Sequence, residues 1–177
     1  GTVNPSGKLP VTFPRSVGQI PIYYNELPTG RPADPNNKYT SKYLDVPNTP
    51  LYPFGYGLSY TTFGFSNLRF SAATVPTGGA VTVRVDVTNS GTTAGTDVAQ
   101  LYVRNRDATV LQPVRQLEGF QRVTLAPGQS QTLTFTLGGG NLGYYDNSGH
   151  FAVHPGAFDV FLGDSSVGGL QGGFSLG

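Results

Sequence analysis

Hydrophobic and polar residues alternate along short stretches in the second half of the chain. In the clearest of them, residues 81–88, every second residue is valine and the residues between are Thr, Arg, Asp and Thr. Strict alternation puts one set of side chains on one face of a β-strand, so the valines are predicted to face a core. Residues 133–137 repeat the pattern with Leu133, Phe135 and Leu137.

Further strands are predicted around these two, with turn signals between them. The additional strand-like stretches are residues 98–103, 115–125 and 157–162. Turn residues rich in Gly, Pro and Asn follow at 89–91, 126–128, 147–149 and 155–156. Roughly seven short strands in roughly 110 residues are typical of a β-sandwich of the immunoglobulin or fibronectin type III kind. No helix-length amphipathic pattern competes, so the predicted fold class is mainly β.

Residues 1–62 show a different pattern. Two short apolar runs, residues 9–13 and 20–24, are bounded by Pro and Gly, and each is a candidate strand. Two strands cannot bury a core by themselves, so we expect them to need a partner sheet that these residues do not supply. Residues 29–49 are polar and turn-rich, which predicts an extended surface loop.

The stretch from residue 49 to residue 63 combines prolines, glycines and five aromatic side chains. Prolines fix the backbone dihedral φ, and so many aromatic rings are too apolar to remain in water, so this stretch is predicted to be a rigid, packed connector. The predicted domains are therefore residues 1–62 and residues 63–177.

Composition narrows the possible partners. The formal net charge is +1, and the Lys and Arg residues are scattered singly, so neither nucleic acid nor an anionic membrane is an expected partner. No apolar run approaches the ~20 residues needed to span a bilayer. The absence of cysteine excludes disulfides, thiol catalysis and thiolate metal sites. The absence of methionine favours a piece of a longer polypeptide, with a processed start as the alternative.

Two long motifs resemble family 3 glycoside hydrolases. Residues 4–25, NPSGKLPVTFPRSVGQIPIYYN, resemble the closing segment of the family's α/β-sandwich domain, and residues 51–61, LYPFGYGLSYT, look like its connector. The resemblance implies that residues 1–62 are the terminal strands and connector of an incomplete α/β-sandwich domain. That connector leads into a C-terminal fibronectin type III-like domain, whose recurring segments are similar to residues 113–120, 125–128 and 154–163. Residues 38–45, KYTSKYLD, resemble the periplasmic β-glucosidases of Gram-negative bacteria.

The resemblance implies an exo-acting retaining enzyme that removes a terminal β-linked sugar, usually glucose or xylose, in the periplasm or outside the cell. Retention needs two carboxyl groups about 5 Å apart. In the family the nucleophilic Asp lies in a TIM-like barrel and the acid/base Glu in the α/β domain, both upstream of Gly1, so no catalytic residue, cofactor or metal is expected here. The implied partners are those catalytic domains, in the same or a companion chain, and a β-linked oligosaccharide. A homodimer is left open.

Four residues are candidates for contact with sugar. Asp45 follows Tyr43 and precedes Pro47 in the loop expected to approach the α/β domain; anchoring of the loop is the alternative role. Tyr43, Tyr52 and Phe54 offer aromatic planes on which the apolar face of a pyranose can stack. Ordinary packing between domains explains the same aromatics more simply.

The other carboxylates have simpler interpretations. Asp86, Glu118 and Asp159 lie in predicted strands and are expected to face solvent or a cross-strand Arg or Lys. Asp146 and Asp164 lie in turns, where a carboxylate commonly accepts backbone N–H bonds.

Neither the histidines nor the glycine-rich stretch indicates a cofactor site. His150 and His154 would stand ~13 Å apart on a strand, too far to share a zinc ion. Residues 138–143 are glycine-rich, but no Lys-Ser or Lys-Thr follows, so a phosphate loop is not predicted and a flexible hairpin connection suffices.

The rival hypothesis is a stand-alone carbohydrate-binding or structural β-sandwich module. A binding module should carry aromatics on an outward sheet face. The sequence disfavours this, because four phenylalanines fall largely within core-like patterns: Phe120, Phe135, Phe158 and Phe161. A purely structural sandwich leaves residues 4–25 unexplained.

Overall fold

The structure, a computed structural model, describes residues 1–177 and is mainly β. Before the first strand it has only a 3-10 turn at Val17–Gln19. The elements that follow are β1 (Phe63–Phe70), β2 (Thr74–Val75), β3 (Val81–Asn89), β4 (Gly95–Asn105), β5 (Gln116–Leu125), β6 (Ser130–Leu137), α1 (Gly139–Leu142), β7 (Tyr144–Tyr145), β8 (Phe151–Ala152), β9 (Gly156–Gly163) and β10 (Leu170–Leu176).

The strands form two facing sheets and a small hairpin. One sheet has the order β1-β3-β6, and the other has the order β2-β10-β9-β4-β5, with β7 and β8 paired separately. All pairings are antiparallel except that of β2 with β10. The predicted β-sandwich of the fibronectin type III-like kind is confirmed.

The core lies between the two sheets. The predicted alternation is confirmed, because the four valines of β3 and the three predicted apolar residues of β6 are buried. They pack with inward residues of β4, β5, β9 and β10, which include Ala99, Leu101, Val103, Val123, Leu125, Phe158, Val160, Leu162 and Phe174. Burial of apolar surface from both sheets is what holds the sandwich together.

The outer face of the five-stranded sheet is also buried at its centre. Gln100 and Tyr102 alternate along β4 with the core residue Leu101, so they point away from the core, yet both are almost inaccessible to solvent. Residues that precede β1 cover them: the Gln100 amide donates to the Gly55 carbonyl at 3.1 Å, and the Tyr24 ring meets the Tyr102 ring edge-on. The first 62 residues therefore form a third layer on the sandwich.

The two apolar runs in this layer are not strands, contrary to the sequence prediction. Residues 9–13 instead run antiparallel to the connector, where Phe13 makes one isolated bridge with Tyr52 and Leu9 exchanges backbone bonds with residues 55 and 56. Pro10 and Pro14 have no N–H group, which prevents a continuous ladder. The second run follows the 3-10 turn, contains Pro21, and has no neighbouring strand to pair with.

Two further expectations about the sandwich are wrong. In place of a flexible hairpin connection, the stretch 138–143 contains the helical turn α1 (Gly139–Leu142), because the Asn141 side chain accepts the Gly138 N–H at 3.1 Å and Leu142 is buried. Phe120, expected in the core, is 68% exposed. It alternates with Gly119, whose backbone lies against the Phe135 ring, so Phe120 points outward from the edge strand β5.

Two of the strand carboxylates pair as predicted. Asp86 binds the cross-strand Arg69 guanidinium at 3.1 Å and accepts a bond from Thr132, and these contacts hold the pKa of Asp86 well below its usual range. Asp159 lies 3.9 Å from Arg106.

The remaining carboxylates give mixed outcomes. Glu118 has no cationic partner: its half-buried side chain accepts a bond from Asn141 at 2.9 Å, and burial raises its pKa. Asp146 accepts the backbone N–H groups of Ser148 and His150, as expected for a turn. Asp164 differs, because its backbone carbonyl accepts a bond from Gln100 and its carboxylate does not serve this role.

Candidate functional site

Phe54 is held against the sandwich by aromatic contacts. Its ring stacks on Tyr24 with centroids 4.4 Å apart, and Tyr24 meets Tyr102 edge-on at 5.5 Å. The following residue, Gly55, has φ +79°, a conformation that glycine adopts without steric cost, so the chain can turn toward Gln100. One face of the Phe54 ring is therefore already used in packing.

Tyr52 belongs to a second aromatic stack. Its ring lies 5.2 Å from that of Tyr56 in a stacked geometry and 6.4 Å from that of Phe13 in an edge geometry. Its side chain remains 42% exposed. Tyr52 thus presents a ring to solvent on a support that packing keeps in place.

Tyr43 and Asp45 lie apart from both stacks, in the loop of residues 29–49. Tyr43 is 41% exposed and forms part of the wall of a groove of about 730 Å³, together with Gln19, Lys42, Asn48 and Arg104. Asp45 is exposed and does not line this groove. Tyr52 and Phe54 lie in the connector. The structure does not join them to Tyr43 and Asp45 in one pocket.

A smaller cleft of about 240 Å³ continues the groove toward the sandwich. The two share Ile22, Glu26, Asn48 and Val114 in their walls. In the smaller cleft the Arg115 guanidinium lies 4.0 Å above the Phe161 ring and donates to the Ser166 carbonyl, and burial lowers the pKa of Arg115. Aromatic faces beside amide and charged groups suit a neutral, hydroxyl-rich ligand such as a sugar.

Sequence reasoning missed the buried Gln100 that connects the layers. Its Nε2 donates to the carbonyls of Gly55 at 3.1 Å and Asp164 at 2.7 Å, and its Oε1 accepts the Tyr102 hydroxyl at 2.5 Å. Burial raises the pKa of Tyr102 above its usual range, so this hydroxyl remains a donor. The available signal was a lone glutamine within the apolar stretch of residues 98–103.

Sequence reasoning also missed Gln19, a second buried glutamine within an apolar stretch. It has no exposed surface, and its amide accepts the Arg15 N–H at 2.5 Å and donates to the Pro47 carbonyl at 2.8 Å. Its position inside the apolar run VGQIPI was the only sequence signal.

Two polar residues near the N-terminus fasten the third layer to the sandwich. Asn4 donates to the Ala94 carbonyl at 3.0 Å and accepts the Tyr60 N–H at 2.8 Å. Lys8 lies 2.7 Å from the Asp97 carboxylate in β4, and both side chains are largely buried. These contacts join the start of the chain to the connector and to the five-stranded sheet.

The histidines and carboxylates do not gather into a metal-binding cluster. Across residues 1–177, no group of three or more His, Cys, Asp or Glu lies close enough to hold a metal ion. His154 packs against the Tyr144 ring at 4.9 Å, and His150 is exposed. None of the helices is long and apolar enough to cross a membrane.

Two family models match the chain. Residues 1–60 match the glycosyl hydrolase family 3 C-terminal domain, and residues 97–166 match the fibronectin type III-like domain.

Two relatives and one solved structure match the chain along nearly its whole length. The chain is 49% identical to a periplasmic β-glucosidase of Salmonella typhimurium, over 99% of this chain and 23% of that protein. It is 41% identical to a β-xylosidase of Formosa agariphila, over 94% of this chain and 22% of that protein. The crystal structure of a β-glucosidase from Listeria innocua with isofagomine matches with a TM-score of 0.92 and 40% identity, over 99% of this chain and 25% of that one.

The chain thus spans about a quarter of the length of these relatives. One of the two family models is that of the C-terminal domain of glycosyl hydrolase family 3, and the three matched proteins are β-glucosidases or a β-xylosidase. The chain belongs to glycoside hydrolase family 3, as the C-terminal part of such an enzyme.

Proposed function

We propose that this chain works as the C-terminal portion of an exo-acting retaining β-glycosidase that hydrolyses terminal β-linked glucose or xylose. The observation that carries the proposal is 49% identity along 99% of the chain to a periplasmic β-glucosidase. The nucleophilic Asp and the acid/base Glu would come from the TIM-like barrel and the α/β domain. The role of this portion would be to brace those domains.

Exposed apolar residues in the third layer support contact with other domains. Val11, Val17, Ile20 and Leu44 are all exposed in this layer. Exposed apolar side chains of this size are candidates for burial against another domain. We assign residues 1–62 to the end of the α/β domain with its connector and residues 63–177 to the fibronectin type III-like domain, since β1 begins at Phe63.

The candidate sugar contacts remain Tyr43, Asp45, Tyr52 and Phe54. Tyr43 and Tyr52 are the strongest, because each presents a partly exposed ring, whereas Phe54 already stacks on Tyr24. The name of the Salmonella relative favours a periplasmic location, with secretion as the alternative. A second copy of the chain, in a homodimer, is a further candidate partner.

The activity is tested with the complete polypeptide that carries this sequence. We expect it to release nitrophenol from p-nitrophenyl β-glucoside or β-xyloside, with the β-anomer as the first sugar product seen by proton NMR, because a retaining mechanism inverts the anomeric carbon twice. Residues 1–177 alone should be inactive. Lack of hydrolysis of both substrates, or initial release of the α-anomer, would contradict the proposal.

Alanine at Tyr43 or Asp45 tests the substrate contacts in the same assay. Loss of a ring or carboxylate that touches sugar should raise KM or lower kcat by about five- to tenfold, the size of one stacking or hydrogen-bond contact. Asn36→Ala is the matched control, because Asn36 is exposed in the same loop and its side chain makes no hydrogen bond. Kinetic constants equal to those of the control would make both residues parts of the scaffold.

A stand-alone carbohydrate-binding module is the second candidate function. The outward-facing Phe120, 68% exposed on a sheet face, is the aromatic that such a module needs and that the sequence did not predict. Retention of residues 1–177 on insoluble β-glucan, and its loss with Phe120→Ala, would favour this function.

A further inference from the structure

We propose that Gln19 and Asn48 are positioning residues that fix Tyr43 at the wall of the 730 Å³ groove. The part of this inference that concerns substrate rests on the proposed function. The part that concerns the loop rests on the geometry of two side-chain amides.

The Gln19 amide closes the base of the loop that contains Tyr43. Its Oε1 accepts the Arg15 N–H, and its Nε2 donates to the Pro47 carbonyl at 2.8 Å, with the Thr49 carbonyl at 3.5 Å. The Arg15 Nε also donates to the Thr49 carbonyl at 2.9 Å. Because Gln19 is fully buried, release of these partners would leave polar groups unsatisfied away from water. The backbone of residues 47–49 is therefore held tightly.

The Asn48 amide transmits this constraint to Tyr43. It lies between Pro47 and Thr49, the two residues whose carbonyls face Gln19. Its Oδ1 accepts the Tyr43 N–H at 3.1 Å, and its Nδ2 donates to the Ser41 carbonyl at 2.8 Å. The backbone of residues 47–49, held by Gln19, thus carries the Asn48 amide that holds the Tyr43 backbone.

The three residues also meet at one surface. Gln19, Asn48 and Tyr43 all line the groove, so the amides that hold the Tyr43 backbone lie beside the same groove. A residue whose backbone is fixed in advance loses less conformational entropy when a ligand binds, so the two amides should act on affinity more than on the chemical step.

The rate of trypsin cleavage after Lys42 tests the loop without measuring activity. The Lys42 Nζ donates to the carbonyls of Asp34 at 2.8 Å and Asn37 at 2.9 Å. Trypsin must bind this side chain in an extended segment, so cleavage after Lys42 requires the loop to open. The rate of that cleavage reports how firmly the loop is held.

The first experiment is limited trypsin digestion of the complete polypeptide, with the cut after Lys42 identified by mass spectrometry. Gln19→Leu and Asn48→Ala should each accelerate this cut about tenfold, and Asn36→Ala should not change it. Asn48 is exposed, so its variant keeps the test valid if Gln19→Leu fails to fold. An unchanged rate of this cut in Asn48→Ala, or in a folded Gln19→Leu, would overturn the inference.

The second experiment asks whether the amides act through Tyr43. Gln19→Leu should raise KM about fivefold with kcat within about twofold of the original, and should add nothing in a Tyr43→Ala background. An additive effect on KM in that background would overturn the positioning role. If the polypeptide hydrolyses no β-glycoside, the proposed function fails, but the trypsin result still decides whether the two amides hold the loop.

Discussion

Replacement of Gly55 by alanine should lower the free energy of unfolding by about 4 kcal/mol. Two costs add up. An L-residue at φ +79° pays about 1–2 kcal/mol. The new Cβ would lie 2.0 Å from the Gln100 Oε1, so the amide must move and leave its bonds to Gly55 and Asp164, at about 1–3 kcal/mol for buried polar groups. Urea unfolding followed by circular dichroism measures the loss.

Gly128→Ala separates the two costs. Gly128 has nearly the same backbone angle, φ +73°, and no atom lies within 4 Å of a Cβ built there. This control should lose only about 1 kcal/mol, the cost of the backbone conformation alone. Equal losses for the two variants would mean that Gln100 yields easily and does not connect the layers.

The sandwich was predictable from sequence because its signal is local. The valines of β3 alternate over enough residues that only one face of a strand can bury them, and the structure places them in the core. Phe120 shows the limit of such a signal. The apolar residues of its strand, Leu117, Phe120, Val123 and Leu125, do not alternate strictly, so the side that Phe120 faces depends on how β5 pairs with β4.

The third layer was less predictable because its contacts join residues far apart in sequence. Gln100 and Gly55 are 45 positions apart, and Gln19 and Pro47 are 28 apart. A glutamine in an apolar stretch is equally compatible with an exposed side chain, so nothing local reveals that its amide will satisfy distant carbonyls. The candidate residue Tyr43 was visible as an aromatic in a polar loop. The groove beside it was not, since its walls come from four separate parts of the chain: residues within 19–33, residues within 41–48, Arg104 and Val114.

Loss of the Lys8 cation should cost about 3 kcal/mol of unfolding free energy. Lys8 lies 2.7 Å from the Asp97 Oδ1, the two side chains are only 14% and 5% exposed, and the Asp97 Oδ2 has no hydrogen-bond partner. Lys8→Met keeps most of the side chain's volume but leaves a buried carboxylate without its cation, and one partner left alone typically costs about 3–5 kcal/mol. Chemical denaturation of the variant at neutral pH measures the effect.

Arg106→Met is the control, because it removes the cation of an ion pair that is largely exposed. Arg106 lies 3.9 Å from Asp159 with side chains 59% and 20% exposed, and such a pair should contribute less than about 1 kcal/mol, because water solvates both charges. Lys8→Met combined with Asp97→Leu should recover much of the loss, since no buried charge then remains. A double variant as unstable as Lys8→Met alone would mean that the unpaired charge of Asp97 is not the cause of the loss.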